Sequence, residues 1–65
     1  MKDVLNIECV FDVGYDAWLV EVINYMNNVL ETEEFYDDEF EEEVSKLRKK
    51  YEKEGYKVEV NIREQ

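Results

Sequence analysis

The 65-residue chain carries 18 Asp and Glu against 8 Lys and Arg, a net charge of −10, with no histidine and one cysteine. One small domain is therefore expected, with neither an intrachain disulfide nor a structural zinc site to support it. The 45% apolar share excludes a purely disordered acidic tail.

Residues 3–13 read as a strand. Leu5, Ile7, Cys9, Phe11 and Val13 alternate with Asn6, Glu8 and Asp12, with Val4 and Val10 as apolar exceptions; period two marks a half-buried strand. Cys9 falls on the apolar face and reads as a small buried hydrophobe, because no Lys, Arg or His lies near it in sequence to activate a thiol. Gly14-Tyr15-Asp16 ends the strand, and Asp16 suits the N-cap of a helix over 17–31. Leu19, Ile23, Met26 and Leu30 step by four, three and four along one helical face, widened by Trp18, Val22, Tyr25 and Val29. So apolar a helix needs a further surface to cover it.

Residues 31–37 interrupt that pattern. Asp37 or Asp38 caps a second helix over 38–54, whose core face carries Phe40, Val44, Leu47 and Tyr51. Acids lead in this helix, and Lys46, Arg48, Lys49, Lys50 and Lys53 follow, as the helix dipole favours. Gly55 is its expected C′ residue. A single helix over 17–54, about 57 Å long at 1.5 Å per residue, is the alternative, since the apolar step continues formally through Glu33 and Asp37. Tyr56, Val58, Val60 and Ile62 then alternate with Lys57, Glu59, Asn61 and Arg63 in a closing strand over 56–62. The expected fold is an α+β domain of order β-α-α-β, with two antiparallel strands packed on a helical hairpin. Two strands alone make a marginal sheet, so a homodimer that joins edges into four strands is also expected.

Charge is laid out unevenly. No base lies between Asp3 and Ser45, a stretch with fourteen carboxylates, and nine of these crowd into residues 31–43. Such a patch costs self-repulsion in a chain with little stability to spare. It disfavours direct binding to nucleic acid, whose phosphates are held by Lys and Arg, and to anionic lipid. No apolar run approaches the ~18 residues of a membrane span, and Met1-Lys2-Asp3 lacks the pattern of an export signal. A cytoplasmic protein is expected.

The residues do not suggest catalysis. Histidine is absent, Ser45 is the only serine, and two glycines cannot build a phosphate-cradling loop. Paired carboxylates abound, but a solvated run supplies no burial to move their pKa values apart. Asp37, Asp38, Glu39, Glu41, Glu42 and Glu43 offer oxygen ligands for calcium or magnesium, yet without the alternation and mid-loop glycine of a calcium loop; neither a metal nor a cofactor is expected. Two readings of the acidic run stay open. It is a solvated helix start that keeps a small protein soluble, or it is a docking surface formed by Glu31, Glu33, Glu34, Phe35, Tyr36, Asp37, Asp38, Glu39, Glu41, Glu42 and Glu43. Aromatics ringed by charge suit the second, as interface anchors with steering charges. Phe35 and Tyr36 equally suit a role covering the end of a small core, and Phe40 fits the core face of the second helix.

In composition, size and charge layout the chain resembles the small acidic inhibitors encoded by bacteriophages: anti-restriction proteins, some anti-CRISPR proteins, and inhibitors of host nucleoid or repair proteins. The residues carrying the resemblance are the Glu31–Glu43 run with Asp12, Asp16 and Glu21; the basic segment Lys46–Lys53 departs from an all-acidic mimic. The resemblance implies a non-catalytic inhibitor whose carboxylates imitate nucleic-acid phosphate and block the basic site of a nucleic-acid-binding protein. That partner would be a nuclease, a CRISPR effector or a nucleoid protein of the host. The alternatives are a small dimeric adaptor that holds a protein partner through Trp18, Tyr25, Phe35 and Tyr36, with the acids only steering, and a solubility-tuned structural dimer.

Overall fold

Four strands and one helix follow in the order β1 (Val4–Asp12), β2 (Ala17–Ile23), β3 (Val29–Tyr36), α1 (Phe40–Lys53) and β4 (Lys57–Glu64) in a computed structural model that describes residues 3–64. The sequence reading of Met1 and Lys2 lies outside the described residues. The strands form one sheet in the order β3-β2-β1-β4. β1 pairs antiparallel with β2, and β2 with β3, whereas β4 lies parallel to β1. The helix is the crossover that a parallel return requires. It leaves the sheet at the end of β3 and brings the chain back to the far side of β1.

Two expectations are corrected by this topology. The helix over 17–31 does not exist, and neither does the single helix over 17–54; the segment is a hairpin of β2 and β3. The first and last strands are parallel rather than antiparallel, so the fold is a four-stranded mixed sheet with one helix, not two strands on a helical hairpin. The physical reason lies in which apolar residues the chain buries. Trp18, Val20 and Val22, two apart, are buried, while Leu19, Met26 and Leu30 of the helical stripe are exposed. Val20, Val22, Ile23 and Val29 are β-branched and pack well on a pleated surface. Asn24–Asn28 then turns the chain. The Asn24 side chain accepts the N–H groups of Met26 (3.0 Å) and Asn28 (2.9 Å), and Asn27 takes φ 67°, a left-handed conformation that asparagine tolerates. Asp16, expected as a helix cap, is instead the left-handed residue (φ 53°) that closes the β1–β2 turn.

The segment read as a second helix is helical from Phe40 to Lys53, and it buries Phe40, Val44, Leu47 and Tyr51 against the sheet. Glu39 occupies its N-cap position without a side-chain cap bond. Its C-terminus is a Schellman motif: Gly55 N–H donates to Glu52 O (3.0 Å), Tyr56 N–H donates to Tyr51 O (3.1 Å), and Gly55 sits at φ 100°. The rings of Tyr51 and Tyr56 meet edge to face at 6.2 Å and close the motif. Leu5, Ile7, Cys9, Val20 and Val22 form the fully buried floor beneath the helix. Phe40 stacks on Trp18 with centroids 4.0 Å apart, and Phe11 meets the same indole edge on at 5.2 Å. Each such pair contributes roughly 0.5–1.5 kcal/mol beyond burial.

Among the described residues no element covers the sheet's other face. Strand alternation puts Asn6, Glu8, Val10 and Asp12 of β1, Leu19, Glu21 and Ile23 of β2, Thr32, Glu34 and Tyr36 of β3, and Lys57, Glu59, Asn61 and Arg63 of β4 on it. Because one chain supplies four strands, the need for a dimer to complete a two-stranded sheet disappears.

Candidate functional site

The topology gathers charge at one end of the molecule. β1 and β3 finish there, β2 and α1 begin there, so the acidic turn 37–39 and the first helical turn sit beside the β1–β2 turn. Asp12, Asp16, Asp37, Asp38, Glu39, Glu41 and Glu42 share this pole. The opposite end carries the basic last turn of the helix, with Lys50 and Lys53, and the start of β4 at Lys57. Acids at the helix N-terminus and bases at its C-terminus are each favoured by the dipole, so the sequence order of charge becomes a spatial polarity.

The nine carboxylates of the run do not form one surface. Strand β3 sends Glu31, Glu33 and Phe35 to the helix side and Thr32, Glu34 and Tyr36 to the open face. Glu31 is half-buried and accepts the Tyr51 hydroxyl (2.6 Å) and Lys50 Nζ (3.2 Å) on the same oxygen. The Tyr51 hydrogen bond, aided by Lys50 and opposed by burial, holds its carboxyl below the ordinary 4.5. Asp37 accepts the Trp18 indole N–H at 2.9 Å, and Glu39 accepts the Tyr36 backbone N–H at 3.1 Å. Lys46 bridges Glu43 (3.1 Å) and Glu42 (3.8 Å), which draws its own pKa upward, chiefly through Glu43. Five of the nine thus have local structural partners. Among the described residues, Glu33, Glu34, Asp38 and Glu41 take part in no ion pair or side-chain hydrogen bond, and these four remain free to meet a partner.

The open face adds carboxylates that the run does not include. Glu21 faces Glu8 directly across β1 and β2, an arrangement of like charges that destabilises a sheet. Glu8 is relieved by Asn61 Nδ2 at 2.7 Å and Arg63 Nη2 at 3.3 Å. Glu21 has no such partner among the described residues. Glu34 lies one diagonal step from Glu21, and Asp12 stands at the acidic end of β1. A depression of about 500 Å³ on this face is bordered by Asn6, Glu8, Asn61 and Arg63, which satisfy one another rather than presenting a base or nucleophile. A second cleft of about 340 Å³ opens at the pole between Trp18, Phe40 and Ile62, with Asp37, Asp38 and Glu41 at its rim.

The aromatic anchors divide. Trp18 is only 6% exposed and belongs to the core, and Phe35 packs half-buried against that core. Trp18 is thereby withdrawn from the surface, while Phe35 stays partly accessible. Tyr25 and Tyr36 stand 66% and 67% exposed. Cys9 is fully buried, and burial, with Glu8 adding, pushes its thiol up to about 11, so it is an inert core group. Sequence reasoning passed over Glu21 and Glu34 as a pair on one face, since their neighbourhood requires β2 and β3. Alternation of Trp18, Val20 and Val22 was the signal for it.

Among the described residues no group of three or more Cys, Asp or Glu is placed to hold a metal ion, and no helix is long and apolar enough to cross a membrane. Compared with protein-family models, curated proteins and solved structures, the chain matches none.

Proposed function

We propose that this chain is a non-catalytic inhibitory binding protein of the cytoplasm, whose acidic pole and open sheet face occupy the basic nucleic-acid site of a partner protein. The observation that carries the reading is the placement of the carboxylates without local partners. Glu21 and Glu34 lie on the open face, Asp38 and Glu41 at the adjoining pole, and Asp16 beside them. Glu21 and Glu34 lie one diagonal step apart across β2 and β3, and Asp38 and Glu41 extend the negative charge to the pole, a layout complementary to a basic site. The sheet holds Glu21 and Glu34 in fixed register, the helix cations lie on the other side of the sheet, and Arg63, the cation of the open face nearest the pole, is paired with Glu8. The likeness to phage-encoded inhibitors points to a host nuclease, CRISPR effector or nucleoid protein as the target.

The experiment is capture of partners from a nuclease-treated bacterial lysate, elution with duplex DNA, and a repeat with the Glu21→Lys, Glu34→Lys, Asp38→Lys triple variant. A captured nucleic-acid-binding protein that DNA displaces, and that the variant fails to capture while its circular dichroism is unchanged, supports the reading. Undiminished binding by the folded variant overturns it.

A second reading rests on a separate observation: Tyr25, Met26, Val29 and Leu30 are all exposed around the β2–β3 turn, at the end opposite the acidic pole. In that adaptor reading Tyr25→Ala removes the partner and added salt does not, whereas a charge-based interface weakens steeply with ionic strength.

A further inference from the structure

The two edges of the sheet are built differently. β3 points Glu31 and Glu33 toward the helix side and Glu34 toward the open face. If two copies joined antiparallel through β3, registers centred on Thr32, Glu33 or Glu34 would set glutamate opposite glutamate, which destabilises a strand pair. Inward-pointing charge of this kind is a known way of blocking an edge.

β4 is unblocked and unfinished. It pairs with β1 on one side and, among the described residues, with no strand on the other. The helix covers Val58 but leaves Val60 half-buried and Ile62 56% exposed. These two residues wall a groove of about 240 Å³ against Phe40 and Val44 of the helix, with Glu41 and Arg48 at its rim. Lys57, Glu59, Asn61 and Arg63 lie on the strand's other face, so opposite charges sit at a spacing of four along one edge.

We infer that the chain associates with a second copy of itself through β4, antiparallel and centred on Asn61. In this register Glu59 of each copy lies opposite Arg63 of the other, twice over by symmetry. Asn61 meets Asn61, and Val60 meets Ile62 on the helix side. Centring on Val60 would instead oppose Lys57 to Arg63, and centring on Glu59 would oppose Glu59 to itself. Centring on Val58 would oppose Lys57 to Glu59 but overlap only residues 57–59, whereas centring on Asn61 overlaps residues 58–64, so charge and overlap together favour the Asn61 register. Arg63 already touches Glu8 at 3.3 Å, and its remaining donors can reach a second carboxylate. The result is one eight-stranded sheet with both helices on the same face. The twofold axis directs the two acidic poles to opposite ends, which separates the like charge that would oppose association. The inference does not rest on the function proposed above, because β4's free edge is remote from β3 across the sheet.

Complementary charge reversal tests it on the full chain. Glu59→Arg sets arginine against arginine in a self-pair, and Arg63→Glu sets glutamate against glutamate. An equimolar mixture of the two restores Arg–Glu at both positions. The expected masses by light scattering at micromolar to millimolar concentration are twice 7.9 kDa for the parent chain, 7.9 kDa for each variant alone, and twice 7.9 kDa for the mixture. Since Arg63→Glu also removes the contact with Glu8, circular dichroism checks its fold. Ile62→Lys, at an already exposed position, gives an independent lesion that is expected to yield a monomer. A parent chain that stays monomeric throughout, a dimer that survives Ile62→Lys, or folded charge variants that do not combine on mixing would each overturn the pairing.

Discussion

Replacing Glu31 with glutamine should destabilise the fold even though it lowers the net charge of a chain at −10. Most neutralisations in so acidic a protein relieve repulsion. Glu31 differs because one of its oxygens receives both the Tyr51 hydroxyl at 2.6 Å and Lys50 Nζ at 3.2 Å. It thereby ties the edge strand β3 to the last turns of α1. A hydrogen bond to a charged group contributes about 1.5–3 kcal/mol. The Lys50 pair, with the lysine 54% exposed, adds little, roughly 0–1 kcal/mol. Glutamine still accepts the hydroxyl, so the expected loss is about 1 kcal/mol, or roughly 4–8 °C in Tm for a domain of this size. Total stability for 65 residues is only about 3–10 kcal/mol.

Urea unfolding followed by the fluorescence of Trp18 measures this, in a cycle with Tyr51→Phe and with Glu33→Gln as control. Glu33 sits two residues along the same face without a partner, so its neutralisation should be neutral or stabilising. Because glutamine keeps part of the bond, the Glu31–Tyr51 coupling should be about 0.5–1 kcal/mol. A folded-state pKa below the ordinary value means that Glu31 stabilises at neutral pH and loses this contribution as pH falls below 4.5 through its lowered value. The gap between parent and Glu31→Gln should therefore close in acid. A coupling under about 0.3 kcal/mol, or equal effects of Glu31→Gln and Glu33→Gln, would refute the latch.

Further outcomes follow from the same structure. Burial and then Glu31 push the Tyr51 phenol from 10.0 up to about 12, and burial raises the Cys9 thiol from 9.0 to about 11. Both groups fold neutral, so stability should be full below pH 9 and fall as pH rises toward 12; a Tm unchanged across this window would contradict it. Salt that shortens the screening length from about 10 Å at 0.1 M to about 3 Å at 1 M should raise Tm, and calorimetry showing a fall would mean that ion pairs outweigh repulsion. Gly55→Ala should cost about 1 kcal/mol, because φ 100° strains any residue with a Cβ; no change in the urea midpoint would mean that the Schellman turn relaxes freely.

The sequence made β1, α1 and β4 readable, because each shows a single period. Leu5-Ile7-Cys9 and Val58-Val60 alternate, Phe40-Val44-Leu47-Tyr51 steps by helical turns, and Gly55 marks the end of the helix. Residues 17–31 show both periods at once, since Leu19, Ile23, Met26 and Leu30 suit a helix while Trp18, Val20 and Val22 suit a strand. Burial decides between them, and burial depends on α1, which comes later in the chain. The Asn27-Asn28 pair was the local sign of a turn. β3 is harder still, because as an edge strand it carries Glu31, Glu33 and Glu34 where an interior strand would carry apolar residues. Its acids read as an interruption, yet Glu31 has a specific partner twenty residues away in Tyr51. For the same reason the run divided into structural and free carboxylates only once β3 and α1 were side by side.

That division gives the acidic run two physical roles, one of which needs no partner. Glu31, Asp37, Glu39 and the Glu42–Glu43 pair hold β3, the core indole, the helix entry and the first helical turns in place. Glu33, with Glu31, makes β3 an edge that rejects strand addition. Glu21, Asp38 and Glu41 serve neither end among the described residues, and Glu34 shares only in blocking the β3 edge. Glu21 even opposes Glu8 across the sheet, where a neutral residue would be more stable. A cost at a position with no internal compensation is what an external requirement leaves behind. If Glu21→Gln raises Tm while weakening capture of a partner, the free carboxylates are functional; if it raises Tm and capture is unaffected, the interface lies with Tyr25 and the apolar residues beside it.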